Sequence, residues 1–144
     1  MLVVNTYAKS TDAYFAQRIM GASPEQQAAL LMEAGQLFLG KAIKAVNENN
    51  HSEAARCYIR VSEIINESIC RLNQEDGGEL ALNLFKLYNW WTSEIYEASR
   101  LKDTVRLGAV ATYMGEIRQA WEQLHEKQTR GLQTSEFEVG DRVV

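Results

Sequence analysis

The sequence predicts an all-α protein, an antiparallel up-down four-helix bundle with a short N-terminal helical arm. Three observations carry this. Proline occurs once in 144 residues, at Pro24, and a 46% hydrophobic share is filled out mainly by good helix formers. Turn-forming and capping residues recur at Ser23-Pro24, Asn47-Glu-Asn-Asn50, Gly77-Gly78 and Asp103-Thr104, dividing the chain into helix-length pieces. Within the pieces, apolar residues step by three and four, most strictly over Leu107, Val110, Met114, Ile117, Trp121 and Leu124.

Residues 1–22 read as an arm containing a short helix that ends near Gly21-Ala22; Tyr7 and Tyr14 each stand two residues after an Asn or Asp. Ser23-Pro24-Glu25 then starts a helix. Ser23 serves as N-cap, Pro24 takes the first turn, where its missing N–H costs nothing, and Gln26 completes a capping box. This helix runs to about Asn47. Its inner stripe is Leu31, Gly35, Phe38, Ala42 and Ala45, widened by Met32, Leu39, Ile43 and Val46. Leu30, Ala34 and Leu37 form a second stripe, which needs a cover.

The second long helix spans roughly Glu53 to Asn73, capped by Asn50 or Ser52. Tyr58, Val61, Ile65 and Leu72 make its inner face, broadened by Ile64 and Ile69, with Ala54 and Ala55 permitting close approach. From Gln74 to Ser99 comes a stretch that organises the rest: a helix-breaking Gly pair, flanked by Glu75, Asp76 and Glu79 where a helix N-terminus favours negative charge, then the longest apolar and aromatic run in the chain. Leu84, Leu87, Tyr88, Trp91, Ile95 and Ala98 give its core stripe. Leu82, Phe85, Trp90 and Tyr96 fall partly outside it: either the helix is central to the bundle and apolar over a wide arc, the reading given more weight, or it leaves a groove for a partner helix. The last helix follows Lys102-Asp103-Thr104, with Asp103 or Thr104 as its N-cap, and closes the bundle, residues 23–127. From Gln128 the period is lost, and residues 128–144 read as a polar, disordered or loosely attached tail.

A net charge of -4 without a Lys/Arg cluster argues against nucleic-acid binding. No run of about 18 apolar residues and no basic leader before an apolar segment occurs, which points to a cytoplasmic protein without membrane insertion. Cys57 and Cys70, roughly 20 Å apart along one helix, cannot bridge and read as reduced structural thiols.

Little chemistry is available for catalysis. Glu122-x-x-His125 matches half of a di-iron carboxylate motif, but His51, the other histidine, has no glutamate three residues before it. Both histidines read as surface residues. The cysteines lack a neighbouring base, and the Gly pair is neither a phosphate loop nor a dinucleotide fingerprint. No enzyme activity, metal or cofactor is predicted.

Several segments in order bear a likeness to one family: Asp12-Ala-Tyr14; Ala22-Ser23-Pro24-Glu25; Glu75-Asp-Gly-Gly-Glu79 leading into Asn83-Leu-Phe-Lys-Leu-Tyr88; Glu97-Ala98; and Ile117-Arg-Gln-Ala-Trp121. Over roughly Tyr7 to Leu124 the chain resembles the flagellar secretion chaperones of the FliS type. It departs from their pattern after Pro24-Glu25, where Gln26, Gln27, Ala28 and Ala29 are smaller and more polar.

The resemblance implies a cytoplasmic chaperone in flagellum biogenesis. It would bind the C-terminal segment of flagellin, prevent premature polymerisation and deliver the subunit to the gate of the flagellar type III protein export apparatus. It also implies an arm, here Tyr14, Ile19 and their neighbours, that packs on the bundle and rearranges on binding. The predicted partner-binding residues are Tyr7, Tyr14, Ile19, Met20, Leu30, Ala34, Leu37, Ile64 and Phe85, on a monomer or weak dimer. The alternatives are a self-associating helical adaptor, in which the extra apolar stripe pairs with a copy of itself, and a bundle metal protein built on Glu122 and His125.

Overall fold

The computed structural model describes residues 13–73 and 75–143, with side chains through Gly131. Tyr7, with the rest of residues 1–12, and Gln74 lie outside the described residues. A short helix, α1, covers residues 13–20. Four long helices follow: α2 (Pro24–Asn47), α3 (His51–Cys70), α4 (Gly78–Leu101) and α5 (Thr104–Val143). The all-α bundle with an N-terminal helical arm is the architecture the sequence predicts.

The helix starts are local chemistry. Ser23 Oγ accepts from the Gln26 N–H at 3.1 Å while the Gln26 side chain accepts from the Ser23 N–H at 3.0 Å, a complete capping box. Asn50 caps α3 through the Glu53 N–H, and Asp103 caps α5 through the Arg106 N–H at 3.0 Å. At the Gly pair, Gly78 adopts a φ of +56°, a left-handed conformation that strains any residue with a Cβ. The pair is a turn because of that backbone requirement.

Around the bundle, α2 touches α3 and α5, and α4 touches α3 and α5, so α2 and α4 are diagonal. Ties across α2 and α5 pair low numbers with high, as in Ser23 with His125 and Gln36 with Ala111, which fixes these helices as antiparallel. Their contact is close at Gly35, where a Cβ would lie 2.7 Å from Met114 Sδ. Trp91, Tyr88, Met32, Leu39, Ile65, Leu107 and Met114 are the largest fully enclosed side chains. The predicted stripe of α4 is the core: Leu84, Tyr88, Trp91, Ile95 and Ala98 are buried, and Leu82, Trp90 and Tyr96 are exposed.

Three local readings change. α3 begins at His51 and ends at Cys70, because Asn50 takes the cap and Leu72 lies in the following turn. Ala55 is exposed, so Ala54 alone supplies the close approach. Cys70 is exposed; only Cys57 is a buried thiol. The backbone of α5 is helical to Val143. Nothing after Gln128 forbids a helix: the segment has no proline, and period reports burial, not backbone preference. Burial does fade along α5, from Leu107, Val110 and Met114 at 0–1% exposed to Leu124 at 36%. Gln128 still reaches α2: with its amide turned so that both groups are satisfied, its nitrogen donates to the Glu25 carboxylate oxygens at 3.2 and 3.1 Å.

Candidate functional site

The second stripe of α2 is enclosed in part: Leu30 and Ala34 are buried and Leu37 is exposed. Phe15, 8% exposed, joins the main core cluster together with Leu30, and Ile19 and Ala22 pack against that cluster. Phe15, Ile19 and Ala22 step by four and three, so α1 is a two-turn amphipathic helix laid on the bundle. Its polar ties are few. Arg18 bonds Glu33 Oε2 at 3.0 Å, donates to the Tyr14 hydroxyl at 2.8 Å and stacks on the Tyr14 ring. Glu33 Oε1 lies 3.5 Å from an Arg118 nitrogen of α5, and Arg118 also bonds Glu122. At the turn into α2, the Gln27 amide donates to the Ile19 and Ala22 carbonyls and its oxygen accepts from Arg71 at 2.6 Å. Between arm, α2 and α5 lies an open cleft of about 410 Å³ with a mixed lining, Arg18, Gln26, Leu30, Glu33, Glu122 and His125 among others.

His125 is a half-buried residue of this junction and not the plain surface residue the sequence suggests, its Nδ1 3.0 Å from Ser23 Oγ. That oxygen also accepts from the Gln26 N–H, so cap and ring share one hydroxyl. The ring is thereby engaged by the cap of α2. Among the described residues, no three His, Cys, Asp or Glu side chains cluster as metal ligands would.

A second apolar surface lies on the opposite side of α5. Leu80, Leu84, Ile117, Ala120, Trp121 and Leu124 line a seam between α4 and α5, a cleft of about 310 Å³. Leu80, Leu84 and Trp121 also wall a cleft of about 300 Å³ at the end of the bundle, reaching Leu31, Ser68 and Arg71. The Trp121 indole N–H donates to the Tyr88 hydroxyl at 3.3 Å, and burial raises the Tyr88 pKa above its ordinary value. Farther along the seam Trp90 and Tyr113 meet at 5.8 Å. The Arg106 guanidinium closes it with a two-pronged bond to Glu94 at 2.6 and 3.1 Å, holding that carboxyl below its ordinary range.

The predicted partner-binding residues therefore divide. Tyr14, Ile19 and Met20 lie on α1, with Met20 87% exposed and Ile19 half-buried. Leu30, Ala34 and Ile64 are buried in the core, and Leu37 is 40% exposed on α2. Phe85 is half-buried on α4, which does not touch α2. Sequence reasoning passed over Phe15, although its spacing to Ile19 was the available signal, and over Leu80, which falls just before the stripe of α4.

A family model described as "Flagellar protein FliS" matches residues 7–128. The chain belongs to the FliS family. It is 30% identical over 109 residues to the flagellar secretion chaperone FliS of Vibrio cholerae, covering 74% of this chain and 79% of that one. To the flagellar secretion chaperone FliS of Salmonella typhimurium it is 26% identical over 110 residues, 76% and 82% of the two chains. To the flagellar secretion chaperone FliSB of Pseudomonas aeruginosa it is 30% identical over 105 residues, 73% and 83%. The FliS match spans α1 through Gln128 of α5. No described helix is long and apolar enough to cross a membrane.

Proposed function

We propose that this FliS-family protein is a flagellar secretion chaperone whose client is the C-terminal segment of flagellin, held as amphipathic helices until the flagellar type III export gate receives it. It acts in the cytoplasm as a monomer or weak dimer, by binding and without covalent chemistry or cofactor. The observation that carries this reading is the seating of α1 on α2. A short amphipathic helix, anchored by Phe15 and Ile19, covers Leu30 and its surroundings and leaves Leu37 exposed beside it. A surface that accepts one amphipathic helix through apolar anchors offers the same anchors to another. Flagellin helices that polymerise through their apolar faces are neutralised while those faces are occupied.

The test is co-purification with full-length flagellin and with flagellin lacking its C-terminal segment. Retention of the full-length protein alone is expected; equal retention of both refutes the reading.

A further inference from the structure

The turn between α3 and α4 carries the one Asp-Gly step of the chain, Asp76-Gly77; the other three aspartates precede Ala, Thr and Arg, and no asparagine precedes a glycine. Glycine has no Cβ to shield its backbone nitrogen and lets the peptide before it rotate freely, so at such a step that nitrogen reaches the aspartyl carboxyl most readily. Asp76 and Gly77 are both exposed and lie between the two helices. Asn73 holds them at three points. Its side-chain oxygen accepts from the Asp76 N–H at 3.3 Å, its side-chain nitrogen donates to Asp76 Oδ2 at 3.1 Å, and its carbonyl accepts from the Gly77 N–H at 2.7 Å. The carboxyl and the nitrogen able to attack it are each tied to Asn73 and not to one another.

From this geometry we propose that Asp76-Gly77 is a site of spontaneous covalent modification, the conversion of aspartate to isoaspartate, and that Asn73 is the bracket that keeps it slow in the folded chain. The Gly77 nitrogen attacks Asp76 Cγ; the N–Cγ bond forms, the nitrogen gives up its proton, and one carboxyl oxygen leaves as water to close a succinimide ring. Water then opens the ring in one of two places. Hydrolysis of the N–Cγ bond restores aspartate. Hydrolysis of the original peptide bond leaves the main chain running through Asp76 Cβ and Cγ, with the former carbonyl carbon as a free carboxylate. The water lost is the water regained, and no oxidant, metal or enzyme takes part.

The product does not fit the turn. Gly77 is the N-cap of α4, its carbonyl accepting from the Ala81 N–H at 3.3 Å, and the space at its Cα is filled: a Cβ there would lie 2.5 Å from the Asn73 carbonyl oxygen and 2.6 Å from Ala81 Cβ. An extra carbon in the main chain just before Gly77 displaces it from that fit and disturbs the first turn of α4. Asn73, Gly77, Leu80, Ala81 and Leu84 all line the cleft at the end of the bundle, so a converted copy has an altered wall there.

The test is incubation of the full chain in warm neutral buffer, followed by tryptic digestion and mass spectrometry. Cleavage after Arg71 and Lys86 isolates residues 72–86, in which the isoaspartate form separates from its parent at identical mass, whereas deamidation of Asn73 or Asn83 changes the mass. The same chain in urea gives the unguarded rate. Asp76 is expected to convert faster than any other Asp or Asn in urea, and about fivefold more slowly or less in the folded chain, the factor one net hydrogen bond contributes to a local equilibrium. Asn73→Ala is expected to speed the folded chain by about that factor, and Asn73→Ser, which keeps an oxygen for the Asp76 N–H, by less. Should Asn73→Ala lose helicity, Asn73→Ser carries the comparison. Asp76→Glu, whose longer side chain closes a ring far more slowly, is expected to abolish the isoaspartate signal in residues 72–86. No conversion at Asp76 in urea, or a signal that survives Asp76→Glu, overturns the site. Equal rates in the folded and unfolded chain, or a folded rate that neither change at Asn73 moves, overturns the bracket.

Discussion

Two glycines five residues apart in α2 are expected to answer the same substitution with opposite signs. At Gly35 an added Cβ lies 2.7 Å from Met114 Sδ, 3.2 Å from its Cε and 3.8 Å from Ile64 Cγ2, and Met114 is fully buried. At Gly40 the same Cβ meets nothing within 4 Å. Alanine gains about 1 kcal/mol over glycine in a helix interior at either position. At Gly35 the gain is opposed by moving Met114 roughly 1 Å within a filled core, and overpacking of this kind costs about 1–3 kcal/mol. Gly35→Ala should therefore lose about 1 kcal/mol and Gly40→Ala gain about 0.5–1 kcal/mol, melting-temperature shifts on the order of 3 °C in opposite directions. Thermal unfolding followed by circular dichroism measures both. In a Met114→Ala background the penalty at Gly35 should disappear, giving a coupling of about 1–2 kcal/mol. An increase in melting temperature for Gly35→Ala equal to that for Gly40→Ala would refute the close α2–α5 approach.

The remaining predictions concern the two faces of α2, the Tyr88 bond and the buried thiol. Leu37→Asp, at an exposed position, should keep full helicity and weaken flagellin binding, whereas Leu30→Asp places a charge in the core cluster and should lose about 3 kcal/mol or more in urea unfolding; equal stability of the two would show that Leu30 is not core. Tyr88→Phe removes the acceptor of the Trp121 indole and should cost about 1 kcal/mol, with a change in tryptophan emission reporting the loss. Burial and the Glu53 carboxylate push the Cys57 thiol from its ordinary 9.0 to about 11. At pH 8 its thiolate fraction is thus about a hundredfold below that of an ordinary thiol, and mass spectrometry after brief alkylation should find Cys70 modified and Cys57 spared. Since the native state keeps a proton that the unfolded chain releases, this contribution to stability is complete below pH 9 and is lost as pH rises toward 11.

What could be read from the sequence follows from how far apart the interacting residues lie. The caps at Ser23, Asn50 and Asp103 act over three residues, and each stands where the sequence places it or among the alternatives it allows. The inner stripe of α4 was legible because one face of a helix repeats every three to four residues. That repeat cannot say what covers a second face. Leu30, Ala34 and Leu37 share a stripe in sequence, yet the first two are buried and the third is 40% exposed, because the bundle and α1 bury more of α2's circumference than a single stripe. Nor does the repeat say where a helix stops: the backbone of α5 is helical to Val143, beyond the last residue of its apolar period, because a helical backbone needs no apolar stripe. The features of the candidate site missing from the sequence reading are long-range meetings: Phe15 with the core cluster, Ser23 with His125, and Glu33 with Arg18 and Arg118. Each joins segments whose order along the chain carries no mark of the contact. These same meetings join the described part of the arm to α2 and α5, so the seat of α1 on the bundle is what local pattern describes least.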